Sequence, residues 1–198
     1  MPNYPKILAF AGSAREGSLN QKLLSFSIGK VRQHGADVTV VDLRALELPI
    51  FDEDLEAHRV PQGAIELREL LRSHQGVLIA TPEYNGSVPP LLKNAIDWSS
   101  RQVDGALGSE PWTGKIGAVM SASQGPFGGV RGISHLRDIL TKLGVMLTPN
   151  EVTLPFAQRA FAGELPHDEF TRQLISTQAH QLVSVLNKLL QGSPAEKR

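Results

Sequence analysis

Apolar residues recur along this chain in two rhythms. Short, almost unbroken apolar runs occupy Ile7–Ala11, Val38–Leu43, Gly76–Ala80 and Lys115–Met120. A fifth begins at Val145–Leu147, is interrupted at Pro149 and resumes near Val152. Between them lie stretches in which apolar positions return every three or four residues. These are Leu19–His34, Gln62–Ser73, Pro89–Ser99, Val130–Leu143 and Phe170–Leu190. In the first of them, Leu19, Leu23, Leu24, Ile28 and Val31 make one stripe. The short runs predict strands buried on both faces, and the longer rhythm predicts amphipathic helices. Gly35 is a stop signal for the first helix, and the prolines at 89 and 90 suit the first turn of another. Strand and helix alternate five times.

That alternation predicts an α/β domain with a flavodoxin-like, doubly wound, five-stranded parallel sheet of order 2-1-3-4-5 and helices on both faces. Residues 1–191 are expected to form this single domain, with 192–198 a disordered tail. Pro49–Pro61, which holds Asp52-Glu53-Asp54-Leu55-Glu56, reads as a solvated surface loop.

Composition narrows the function. At 198 residues the chain is long enough to bury roughly 70% of its unfolded surface. Lys plus Arg equals Asp plus Glu, so the net charge is zero and the footprint of a nucleic-acid binder is missing. With no cysteine, disulfides, thiolate metal sites and cysteine nucleophiles are excluded. The six histidines show no metal-ligand spacing and are expected at the surface or in caps, so no metal is expected. The apolar stretch near the N-terminus, about five residues, is too short for a signal peptide, and nothing approaches a membrane span. The expectation is a cytoplasmic protein without membrane or nucleic-acid partners.

In such a sheet, ligands bind beyond the carboxyl ends of the strands, where the strand order reverses. Three loops fall there. The first, Gly12–Asn20, joins a strand to a helix through small residues and Arg15. Helix N-terminal amides, the Ser13 and Ser18 hydroxyls and the Arg15 guanidinium suit an anion. The loop lacks the Gly-x-Gly-x-x-Gly and P-loop patterns, which leaves a cradle for one phosphate. The second, Thr81–Pro90, is fixed by Pro82 and turned at Asn85-Gly86, so its backbone can meet the edge of a flat heterocycle while Tyr84 covers part of it. The third, Ser121–Gly129, is rich in hydroxyl, amide and glycine positions. No Gly-x-Ser-x-Gly elbow supports a hydrolase.

Gly12, Ser13, Arg15, Ser18 and Asn20, spaced Gly-Ser-x-Arg-x-x-Ser-x-Asn, resemble the phosphate signature of the NAD(P)H-dependent FMN reductase family. Pro82–Pro89, followed by Leu92–Trp98, is similar to that family's isoalloxazine loop and helix, and Gly128–Gly132 with His135–Arg137 also fits. The resemblance covers roughly Lys6 to Val152 and is nearest the quinone and chromate reductase branch, which includes azoreductases.

The resemblance implies that Ser13, Arg15, Ser18, Leu19 and Asn20 hold the FMN phosphate. It implies that Pro82, Glu83, Tyr84, Asn85 and Gly86 line the isoalloxazine, with Ser121, Ser123 and Gly125 beside the ring or ribityl chain. Catalysis then needs no residue of its own, because the chemistry takes place at FMN N5. NADPH or NADH is the expected co-substrate and a small electron acceptor (quinone, azo compound, chromate or free flavin) the partner. The family's habits also imply a homodimer or homotetramer. A flavodoxin-type electron carrier and a flavin-free interaction domain are the alternatives. Arg101 is open to two readings, a reach into the site or an ordinary ion pair. Trp98, Trp112 and Phe127 are open to core or interface roles.

Overall fold

The computed structural model describes residues 4–102, 105, 107–161 and 166–192. Strand β1 (Lys6–Ala11) is the sheet's organising element. On one side it pairs in parallel with β2 (Asp37–Val41), Ile7 opposite Val38. On the other it pairs with β3 (Gly76–Ala80), Ile7 opposite Gly76. Strand β3 pairs with β4 (Ile116–Ala122), and all these pairings are parallel. The order is β2-β1-β3-β4-β5.

The fifth position is shared by two short strands, β5 (Met146–Leu147) and β6 (Val152–Leu154). Both pair with β4, at its start and its end respectively. The interruption read at Pro149 is real, and the sheet therefore has six strands where five were expected. Proline has no N–H for the ladder, so the outermost strand breaks around it.

Helices cover both faces. Ile7, Ala9 and Ala11 of β1 point toward α1 (Leu19–Gln33) and α7 (Glu169–Gly192), meeting Leu23, Val31, Ile175 and Leu182. Leu8 and Phe10 point the other way, toward α3 (Gln62–Arg72), α4 (Pro90–Ser99) and α5 (Val130–Lys142). Successive strand residues face opposite sides, so two buried faces demand an unbroken apolar run. Each Leu or Ile buried this completely contributes about 2 kcal/mol relative to exposure. Trp98 and Trp112 are both core residues, whereas Phe127 is exposed. Residues 193–198 of the expected tail lie outside the described residues, and Gly192 still belongs to α7.

The segment expected as a plain loop, Pro49–Pro61, contains a short helix, α2 (Glu53–His58). Asp52 caps it, accepting the N–H groups of Asp54 and Leu55 at 2.8 and 3.3 Å. Three carboxylates in the first turn meet the positive end of the helix dipole. The acidic run is thus a helix start, and its residues do face solvent apart from half-buried Glu56. Glu56 pairs with Arg101 at 2.9 Å, so Arg101 is spent on an ion pair beside α2. A second unforeseen helix, α6 (Ala157–Ala160), is a single turn.

One histidine departs from the expected surface or capping role. His74 is buried, with Nδ1–H donating to the Leu70 carbonyl and Nε2 2.7 Å from Thr39 Oγ1. Beside it, Lys115 donates through Nζ to the His74 carbonyl and is only 6% exposed. Burial pushes the Lys115 ammonium down to about 8, against a smaller upward pull from Glu110. Between that value and the ordinary 10.5, the unfolded chain binds more protons at this residue than the folded one. Its contribution to stability therefore rises with pH across that window. Urea unfolding at several pH values should show the rise in the wild type and a flatter profile in Lys115→Met; equal slopes would contradict the assignment.

Candidate functional site

The three unusual loops meet at the carboxyl end of the sheet. The N–H of Gly12 donates to the Ala80 carbonyl at 2.8 Å, laying the first loop against the end of β3. A Cβ on Gly12 would sit 2.9 Å from Thr81 Oγ1, so only glycine permits this approach. Together the loops bound a cleft of about 320 Å³ lined by residues 13, 15, 18–20, 82–84 and 122–124.

Nine of the thirteen expected site residues line this cleft: Ser13, Arg15, Ser18, Leu19, Asn20, Pro82, Glu83, Tyr84 and Ser123. Four do not. Asn85 and Gly86 form the tip of a tight hairpin, with φ values of +50° and +78°. Tyr84 and Ser87 exchange both backbone bonds across it, at 2.9 and 3.0 Å. Two left-handed residues in succession are the signature of the turn that Asn-Gly favours, which explains the rigidity read from the sequence. Gly125 stands behind Ser123, donating its N–H to Ser123 Oγ at 3.1 Å. Ser121 is wholly buried beneath Gly129, whose φ is +85° and where a Cβ would collide with Ser121 Oγ. Ala122 and Gln124 line the cleft without having been expected there. Gln124 lies inside the third loop, so its position alone would have nominated it.

The first loop gathers hydrogen-bond donors. Ser18 caps α1, accepting the Gln21 N–H at 3.4 Å, and Ser13 Oγ accepts the Arg15 N–H at 3.4 Å. Both hydroxyls act as acceptors toward the chain, which leaves their protons free to donate outward. The Leu19 and Asn20 amides stand in the first turn of α1, where no intrahelical partner exists. Arg15 is exposed and takes no part in any of the eight ion pairs among the described residues. Amides, two hydroxyls and an unpaired guanidinium form a donor set that fits a phosphate.

Two side chains in the cleft wall point away from it. The Asn20 carboxamide pairs with the backbone of Ala122. Its Nδ2 donates to the Ala122 carbonyl and its Oδ1 accepts the Ala122 N–H, both at 2.9 Å. The Glu83 carboxylate turns toward α5. It accepts the N–H groups of Arg131 and Gly132 at 3.0 and 3.2 Å and pairs with the Arg131 guanidinium at 2.6 Å. Burial would raise the Glu83 carboxyl, but these bonds outweigh it and hold the group below the ordinary glutamate value. Glu83 thus acts as a cap borrowed from another loop, since Gly129 at the start of α5 has no side chain to offer. No cluster of His, Cys, Asp and Glu among the described residues could hold a metal.

Known proteins resemble this chain over most of its length. Residues 5–159 match the family model described as NADPH-dependent FMN reductase, and the chain belongs to that family. An NAD(P)H-dependent FMN reductase of Pseudomonas aeruginosa is 39% identical over 180 residues, covering 89% of this chain and 92% of that one. A quinone reductase of Escherichia coli is 36% identical over 143 residues, 72% of each. Among solved structures, the flavoenzyme NAD(P)H:(acceptor) oxidoreductase FerB of Paracoccus denitrificans superposes with a TM-score of 0.81 at 27% identity. That superposition covers 93% of this chain and 98% of FerB. The flavodoxin-like reading of the sheet therefore stands, as does the FMN and NAD(P)H dependence that the family carries.

Removing the Glu83 carboxylate would leave two helix-start amides and one guanidinium without their acceptor. Glu83→Ala should cost roughly 1–2 kcal/mol in urea unfolding. It should also speed amide exchange at Arg131 and Gly132. Unchanged protection at both amides would show that the cap contributes nothing.

Proposed function

We propose that the chain is a cytoplasmic, homo-oligomeric NAD(P)H:acceptor oxidoreductase, with FMN seated in the three-loop cleft and a quinone-type molecule as acceptor. The observation that carries this reading is the unsatisfied donor set at the N-terminus of α1, opening into the same cleft as the rigid hairpin. Arg15, the Ser13 and Ser18 hydroxyls and the first-turn amides of α1 would hold the phosphate. The main chain of Pro82–Tyr84 would border the isoalloxazine, and Ser123 would stand beside the ribityl chain.

When bound, FMN accepts a hydride from a reduced nicotinamide and passes the electrons to a small acceptor. The chain's own task is placement. The hairpin fixes Tyr84 through two mutual backbone bonds, so this half-exposed aromatic has a defined position at the mouth of the cleft. Glu83 is engaged with α5, which leaves it no part in proton transfer. The Asn85 and Gly86 N–H groups take no part in the hairpin's own bonds and stand at its tip, outside the lining of the cleft.

The quinone preference is supported by the quinone reductase relative. The cytoplasm is where reduced nicotinamides are supplied. Tyr84, Phe127 and Phe156, exposed around the cleft, offer apolar surface for a contact between subunits.

The protein reconstituted with FMN should lose its flavin absorbance on anaerobic mixing with NADPH or NADH, and quinone should restore it. Absence of bleaching with either nicotinamide would reject the reading in favour of an electron carrier. A steady-state panel of both nicotinamides against quinones, azo compounds, chromate and free flavin would rank the acceptors. Arg15→Ala should weaken FMN binding by about 10- to 100-fold, the range for losing a charge-assisted bond, while kcat at saturating FMN changes little. Normal FMN affinity in that variant would refute the placement of the phosphate.

A further inference from the structure

The ladder between β3 and β4 stops abruptly, and what replaces it lies in the cleft wall. The Thr81 N–H donates to the Met120 carbonyl at 2.9 Å, the last β3 bond of that ladder. The next residue, Pro82, leads the chain away into the second loop. Residues two apart on a strand present their backbone groups to the same side. Ala122, two beyond Met120, therefore turns its N–H and its carbonyl toward a place β3 has left. The opposite side of β4 is occupied by β6, whose Leu154 accepts the Ser123 N–H at 3.0 Å.

Asn20 fills the vacated place. Its carboxamide sets one Nδ2–H and its Oδ1 against the Ala122 carbonyl and N–H, both at 2.9 Å, in the pattern of a backbone neighbour. The side chain is 3% exposed, so water is no substitute. A backbone pair left unsatisfied there would cost as much as a lost hydrogen bond in the interior. The same residue stands in the first turn of α1, and its own N–H is among the free amides facing the cleft.

We infer that Asn20 is a positioning residue, in which the side chain extends the sheet by one step and fixes the third loop against the phosphate-binding helix end. The side chain does not itself hold the phosphate. This inference rests on the FMN reading above. It assigns Asn20 a different task from Arg15: Arg15 recognises the phosphate, and Asn20 sets the distance between the helix end and Ser123.

The two tasks separate when FMN is compared with riboflavin, which lacks the phosphate. Dissociation constants for both are measured by flavin fluorescence quenching on wild type, Arg15→Ala and Asn20→Ala. Arg15→Ala should lose affinity for FMN alone. Asn20→Ala should lose affinity for both flavins by the same factor, about 10-fold or more for two broken buried bonds. It should also speed amide exchange at Ala122 and Ser123. Leu182→Ala, a core truncation in α7, controls for general destabilisation and should leave flavin affinity unchanged. If Asn20→Ala does not fold, Asn20→Ser, which leaves room for a water against Ala122, is measured in its place. Loss of FMN affinity with riboflavin affinity intact would make Asn20 a phosphate ligand and overturn the inference. So would unaltered affinity for both flavins, or an equal loss in Leu182→Ala. A wild type that binds neither flavin would instead overturn the functional reading beneath it.

Discussion

The cleft exists because β3 leaves the sheet after Thr81. The Thr81 N–H makes the last β3 bond to β4, and at Pro82, whose ring fixes the backbone, the chain turns out into the second loop. The gap that opens beside β4 is bordered by the first loop on one side and the third on the other. Two demands follow from this single break. The exposed edge of β4 needs partners, which Asn20 supplies, and the departing loop needs a fixed course, which the Asn85-Gly86 turn and the Glu83 clasp supply. The rest of the sheet is a conventional parallel core and gives these loops a rigid base.

The site's polar residues divide by where their bonding capacity goes. Arg15, Ser13 and Ser18 keep donors in reserve, with no acceptor among the described residues to receive them. Asn20 and Glu83 have theirs committed to the backbone. This division gives chemical content to the family resemblance. The motif carries residues with donors to spare together with residues that hold the first group in place, and both kinds look alike in a string of letters. Burying a carboxamide or a carboxylate is costly unless each atom is matched, so residues of the second kind sit among backbone amides and carbonyls that need them.

Most of the fold was readable from apolar rhythm. Unbroken runs gave β1, β3 and β4 nearly to the residue, because strands covered on both faces admit few polar positions. Two of the departures have identifiable causes. Glu53–His58 has too few apolar residues for a helical stripe, and it is an Asp52 cap with three first-turn carboxylates that makes it helical. Around Pro149 the pattern showed a broken strand, and only pairing with β4 shows that both halves belong to the same edge position.

What the sequence determined by itself was the identity of the three loops and the kind of ligand they suit. Pro82, Asn85-Gly86, Arg15 and the small residues of the first loop act through local backbone geometry and charge, which are properties of a few consecutive residues. The tertiary structure decided which groups remain free. Asn20 meets Ala122 across 102 positions and Glu83 meets Arg131 across 48, and no local pattern encodes such a pairing. Ser121, whose hydroxyl reads like a ligand contact, is buried because Gly129 closes over it. A donor's availability depends on what else lies within hydrogen-bonding distance, and folding alone brings those neighbours together.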